Sequence, residues 1–387
     1  MKNSVLILGS NGRFGRNAAE AFESAGWKVT RFNRATDDLQ AAAHGKDVIV
    51  HSWNPLYPDW AKQVPALTKQ VVAAAKTSGA TVLIPGNVYI YGAQSDGNWT
   101  DSAPTNAQNP MGKIRIQMEA AFRDAKIPTI ILRSGDYIDT EAGGNWFDKI
   151  IAAKASKGIL SYPGALDADR NWAFLPDIAK AAVQLCEMRA DLEPFQQVLY
   201  PGLNFSAIQL AQTAQSISIG KIRLKKFAWW PIRLLQPFWA MARSLNEMSY
   251  LWSLPHRLDG TTLARLLPNH KPQTADLGAS VATNRPIRRQ PKPNDGMMQL
   301  RPFLDQSHLG VDRHSAKRHL IQPLSTLLRV THNPPANFLA HWGLTIGPCL
   351  VHLAFRDLHW HRFGSQCDHP RWFVLDHLPL GDPRFDA

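Results

Sequence analysis

The stretch Gly9-Ser10-Asn11-Gly12-Arg13-Phe14-Gly15 stands directly behind the apolar run Ser4-Val5-Leu6-Ile7-Leu8. The run predicts a first β-strand, the glycines a turn, and the period that follows a helix over 13–25. Strand, glycine turn and helix in that order form the local context a dinucleotide needs. Glycine lets the backbone close tightly and approach a pyrophosphate, while a helix N-terminus offers free N–H donors and positive potential. The spacing is G-x-x-G-x-x-G rather than G-x-G-x-x-G, and a glycine trio alone also reads as an ordinary turn. The strand before it and the helical period after it decide for a cofactor site, with Gly9, Asn11, Gly12, Arg13, Phe14 and Gly15 as its residues.

A second strand is expected over Trp27-Lys28-Val29-Thr30-Arg31-Phe32, ending where the adenosine ribose would lie. A site that prefers NAD usually places Asp or Glu there to accept from the ribose 2′-hydroxyl. This chain places Asn33 and Arg34 there, with Arg31 nearby. A neutral amide beside guanidinium groups suits a 2′-phosphate, which arginine grips in a bidentate fork. NADP is therefore expected ahead of NAD; the plain alternative for Arg34 is a solvated loop arginine.

Further strands are expected over Asp47–His51, Thr81–Pro85 and Pro128–Arg133, with helical periods at about 59–78 and 111–125. That alternation builds βαβ units, hence an α/β fold with a doubly wound parallel sheet. After residue 140 it loosens into a helix near 176–189, a strand over Gln197–Tyr200 and a helix for which Ser206 is a plausible N-cap. The expected organisation is a cofactor domain over 1–150, with 165–202 returning to it, and a smaller C-terminal substrate lobe over 203–284. From about residue 285 the composition changes. No Glu follows Glu247, no Tyr follows Tyr250, and ten of the fourteen histidines lie at or beyond His308. The expectation for 285–387 is a tail outside any domain, either disordered or the product of a frame change at the gene's end.

The chain has 387 residues and 44% hydrophobic content, enough for two domains with a substantial core. Its net charge of +12 is spread along the sequence without a recognition motif, which argues against a nucleic-acid partner. It lacks a run of 18 apolar residues and a signal-peptide layout at the N-terminus. Cys186, Cys349 and Cys367 have neither metal-like nor disulfide-framework spacing, and His359 and His361 belong to no ordered set of four ligands. A cytoplasmic protein without a metal is expected. The densest aromatic-basic stretch runs from Lys221 to Trp239. Two readings compete: a helix lying on a membrane surface, or the more ordinary strand and helix whose aromatic face packs on the fold.

Five ordered segments resemble the short-chain dehydrogenase/reductase superfamily, in its extended or atypical, NAD-dependent epimerase/dehydratase-like branch, over about residues 1–280. GSNGRFG matches the cofactor glycines. DVIVHSWNP is similar to the strand whose end, here His51, lies along the adenine-ribose side. NVYIYG resembles the strand leading into the active site, and LRSGDYI the segment beside the nicotinamide. WAFLPDIAKA resembles a helix start with Asp177 as its acid. The resemblance implies a Rossmann-type sheet, an NAD(P) cofactor, a small-molecule substrate and a homodimer.

The catalytic positions depart from that pattern. Four residues before Tyr91-Gly92, the usual Ser or Thr is Asn87. The usual Tyr-x-x-x-Lys with a later glutamate falls on Met111, Arg115 and Glu119. A thioether cannot usefully exchange a proton, and Arg115 is left to hold the nicotinamide ribose or a substrate anion. A shift of two residues would promote Lys113. A hydroxyl from Tyr89, Tyr91 or Tyr137 is a candidate for the missing phenol, although each reads also as a packing residue. The expected function is an oxidoreductase or epimerase acting on a small carbonyl or hydroxyl substrate, sugar-derived among the options, through a non-standard site containing Asn87, Arg115, Tyr89 and Lys113. The alternative is a non-catalytic NADP-binding redox sensor or regulatory protein. An accessory subunit held on a membrane through 221–252 is a third reading.

Overall fold

Strand β1 (Ser4–Leu8) is buried at every residue, as its apolar run requires of a strand covered on both faces. It pairs in parallel with β2 (Lys28–Phe32) on one side and β3 (Val48–His51) on the other. Beyond β3 the sheet continues in parallel through β4 (Thr81–Gly86), β6 (Thr129–Arg133) and β10 (Phe195–Leu199). The six strands run β10-β6-β4-β3-β1-β2, so the order reverses at β1 and opens a crevice at the carboxyl ends of β1 and β3. These features belong to a computed structural model that describes residues 3–141, 143–218 and 220–272.

Helices cover both faces. Helix α1 (Arg13–Ser24) and α5 (Leu175–Glu187) share one core, in which Phe14, Ala18 and Phe22 meet Ile178 and Leu185. On the other face, α3 (Trp60–Ser78) and α4 (Pro110–Asp124) bury Trp60, Val64, Met118 and Phe122. Gly79 ends α3 in the left-handed region at φ 73°, which glycine adopts without strain. A short helix α2 (Leu39–Ala43) is absent from the sequence expectation. Its cap makes it: Asp38 accepts from the Ala41 N–H at 2.8 Å.

The smaller part grows from the same end of the sheet. Strands β7 (Asp136–Ile138), β9 (Arg170–Phe174) and β11 (Leu203–Phe205) form one small sheet, and β8 (Ile159–Tyr162) pairs with β12 (Arg223–Lys226). The two-residue strands β5 (Asn98–Trp99) and β13 (Arg257–Leu258) also pair. Ser206 caps α6 (Ala207–Ile217) in a full capping box with Gln209, as its position in the sequence suggests. Helices α7 (Trp230–Leu235), α8 (Ala240–Glu247) and α9 (Thr261–Leu266) complete the described chain. No helix among the described residues is long and apolar enough to cross a membrane. Residues 273–284, the tail over 285–387 and its Cys349, Cys367, His359 and His361 lie outside the described residues.

Candidate active site

The glycine turn closes on itself at the carboxyl end of β1. Gly9 takes φ 82°, and the Gly12 N–H donates to its carbonyl at 2.9 Å. Gly15 is the closest approach: a Cβ there would lie 2.2 Å from the Gly9 oxygen and 2.8 Å from Ser52 Oγ. Ser52, just past β3, donates to the Leu8 carbonyl at 2.5 Å and locks the turn against the neighbouring strand. Asn11 and Gly12 are exposed at the mouth, whereas the Phe14 ring is buried in the core. Helix α1, with Gly12 as its N-cap, has no capping side chain and no acid in its first turn, so no side chain satisfies its first-turn N–H groups. Above them Arg13 has a buried Nη1 without a hydrogen-bond partner, and a Cβ on Gly143 would come within 2.5 Å of its Cδ. Open amides, an orphaned guanidinium nitrogen and a backbone cradle that a side chain would fill together fit a pyrophosphate.

At the adenosine end, the side chains separate into occupied and free. Arg31 is taken by Glu23, with nitrogen–oxygen distances of 2.5 and 3.0 Å. The Asn33 carboxamide oxygen accepts from the Ala35 N–H at 3.1 Å and builds a turn. Arg34 is exposed and has no ion pair or hydrogen bond among the described residues. His51 does not join the turn. It is buried near the rings of Trp53 and Phe122 on the α3–α4 face, while its neighbour Ser52 points to the glycines, as alternation along a strand requires.

The expected catalytic residues divide in the same way. Lys113 is exposed on α4, two positions from the buried Arg115, and stays out of the cluster. Met111 is core, and its N–H donates to Glu247 at 2.8 Å. Asn87 uses its side-chain oxygen on the Tyr89 N–H at 3.1 Å, and its carbonyl accepts from Arg133 at 2.6 Å. Arg133 is fully buried and forked onto Glu119 at 2.7 and 3.0 Å, so the glutamate of the α4 pattern braces the end of β6 and β4. Arg115 lies 4.1 Å from the Trp60 ring centroid and donates to Asn54 at 2.7 Å, with its Nε buried and unmatched.

Two strand-end loops bring a pair of tyrosines together. The Tyr89 hydroxyl, in the turn Val88–Tyr91, lies 2.6 Å from the hydroxyl of Tyr57, in the turn Tyr57–Asp59. Both tyrosines line a narrow cleft with Asp136, Trp146, Arg170, Met248 and Trp252. Asp136 and Arg170 neutralise each other in an ion pair, and Arg170 lies 3.7 Å from the Trp252 ring centroid. Tyr57 is the residue the sequence reading missed. It follows a loop without any motif, and only the fold brings it against Tyr89.

Burial pushes both phenols above their ordinary range, Tyr89 furthest, so each stays protonated through neutral pH. Tyr137, 6.2 Å from the Phe14 ring, shifts the same way for the same reason. At both Tyr57 and Tyr137 the charges of Arg13 and Arg115 work against the shift.

The fold recurs in solved structures. A dTDP-4-dehydrorhamnose reductase from Yersinia enterocolitica matches at 18% identity and TM-score 0.54, over 73% of this chain and 99% of its own. RMD from Pseudomonas aeruginosa, complexed with NADPH, matches at 14% and 0.52, over 70% and 93%. UDP-glucose 4-epimerase from Brucella ovis, complexed with NAD, matches at 16% and 0.50, over 58% and 86%. The chain has the fold of the extended short-chain dehydrogenase/reductases. No family model and no curated protein matches it in sequence. Neighbours holding NAD and NADPH share this fold, so the fold itself does not choose between the cofactors.

Proposed function

We propose that the protein is an NAD(P)-dependent oxidoreductase or epimerase of this kind, with NADP as its preferred cofactor and a small carbonyl or hydroxyl substrate, sugar-nucleotide-derived as in the neighbours. The observation that carries the reading is the Tyr57–Tyr89 hydroxyl pair, set in a cleft at the carboxyl end of the sheet. Gly9, Asn11, Gly12, Arg13 and Gly15 would hold the pyrophosphate, and Arg34, the unpaired cation of the β2 loop, the 2′-phosphate. When bound, the nicotinamide supplies or accepts a hydride. The chain's own part is the proton. Two protonated phenols sharing a hydrogen bond can deliver one to a carbonyl oxygen from Tyr89 while Tyr57 donates in turn to Tyr89. Arg115, cationic and fixed over Trp60, favours the phenolate left behind, the task that a lysine performs in the family pattern. Asn87 holds the Tyr89 turn rather than polarising substrate.

The test is NADPH oxidation followed at 340 nm with nucleotide-linked keto-sugars, for wild type, Tyr89→Phe and Tyr57→Phe. Loss of one hydroxyl should lower kcat by about 10²–10⁴-fold for Tyr89 and less for Tyr57. Turnover unchanged in Tyr89→Phe would remove the pair from the chemistry. Tight NADPH binding without turnover of any carbonyl would favour the sensor reading.

A further inference from the structure

Among the described residues five large hydrophobic side chains are exposed, and three of them, Trp230, Leu234 and Phe238, fall within nine residues. Their exposures are 61%, 68% and 89%. A spacing of four puts Trp230 and Leu234 on one side of α7, and no residue of that helix is buried. The segment is nevertheless anchored. Trp229, next to the exposed Trp230, donates its indole N–H to the Pro163 carbonyl at 2.5 Å and packs against Trp146 and Phe227. The expectation that this aromatic face packs on the fold holds for Phe227 and Trp229 and fails for Trp230, Leu234 and Phe238.

Charge says what covers the face. Lys221, Arg223, Lys225, Lys226, Arg233 and Arg243 surround it in sequence, and all six are exposed. None pairs with a carboxylate among the described residues, and no Asp or Glu occurs between Glu193 and Glu247. A protein partner or a second copy of this chain would have to bring acids to meet six cations. A bilayer with anionic headgroups brings them everywhere, accepts Trp and Phe at headgroup depth, and lets lysine and arginine stems lie along it.

We propose that residues 221–243 dock this protein on the surface of an anionic lipid bilayer, with Trp230, Leu234 and Phe238 inserted and the six cations against the headgroups. Trp146, which packs on Trp229, also lines the candidate cleft, so the docked face lies one aromatic layer from the site.

The experiment is flotation of the full chain with vesicles of phosphatidylcholine alone or mixed with phosphatidylglycerol. It compares wild type, Trp230→Ser/Phe238→Ser and Lys225→Glu/Lys226→Glu, with thermal midpoints and oligomeric state recorded for each. Wild type should float only with the anionic vesicles, and high salt should weaken this about tenfold or more, because surface attraction is screened. Both variants should stay soluble, keep their midpoints and lose flotation. No flotation of wild type, equal flotation on neutral vesicles, or flotation retained by both variants would overturn the proposal. So would a wild-type oligomer that Trp230→Ser/Phe238→Ser dissolves, since a second copy would then own the face.

Discussion

The glycine turn and the two-tyrosine cleft lie at the same end of one parallel sheet, yet they are built differently. The turn takes seven consecutive residues plus Ser52, and backbone sterics hold it: a methyl group at Gly15 would meet the Gly9 oxygen at 2.2 Å. The cleft gathers Tyr57, Tyr89, Asp136 and Arg170 from four segments and rests on a buried Arg133–Glu119 pair that touches neither tyrosine. A site made of backbone can vary little in sequence without being lost. A site made of side chains on separate strand ends depends on residues far apart in sequence, any of which can change while the strands stay in place.

The largest expected effect breaks the brace of the second region. Glu119→Ala leaves the Arg133 guanidinium, fully buried, without its carboxylate, and stability should fall by about 3–5 kcal/mol. Denaturant titration measures it; a loss below about 1 kcal/mol would mean the pair is not what holds the cleft.

An acid limb comes next, and it separates the regions because its histidines flank the second. Burial lowers His51 to about 3 and His256 to about 4. Both are neutral in the folded chain, while the unfolded chain protonates them below about 6.5. The unfolded state therefore binds more protons as pH falls from about 6.5 toward 4, and stability declines there by up to about 1.4 kcal/mol per pH unit for each histidine. Above about pH 7.5 neither contributes an appreciable slope. Denaturation at pH 7 and pH 5 should show the loss, and His51→Gln should remove part of it; an unchanged slope would place the acid sensitivity elsewhere.

The smallest effect sharpens the first region. Arg34→Ala removes a charge-assisted contact worth roughly 1.5–3 kcal/mol, so NADPH affinity should drop about tenfold or more with NADH nearly unaffected. Equal losses for both cofactors would show that Arg34 does not read the 2′-phosphate.

What the sequence disclosed follows the same division. Every strand of the central sheet was legible: the buried β1, β3, β4 and β6 read as apolar runs, while the half-exposed β2 and β10 were placed by their position in the alternation, and only the five-residue α2 escaped it. The glycine turn was legible because its requirement is local. His51 was misplaced by one residue: the strand end was right, but Ser52 faces the glycines and His51 the core. Tyr57 was invisible, since nothing around Leu56-Tyr57-Pro58 marks it before β3 and β4 are aligned. Strands β7 and β11 are three residues each, and only their pairing with β9 defines them.

The central claim, a nicotinamide cofactor seated on the glycine turn, is tested most directly by titrating NADPH into wild type and Gly12→Val while recording each protein's unfolding midpoint. Gly12 is exposed, and a Cβ there would stand 3.1 Å from the Gly9 backbone oxygen, so a side chain there presses on the turn itself. Saturable binding to wild type and none to Gly12→Val, with midpoints nearly equal, is the predicted result. Binding retained by Gly12→Val, or absent from wild type, would contradict it.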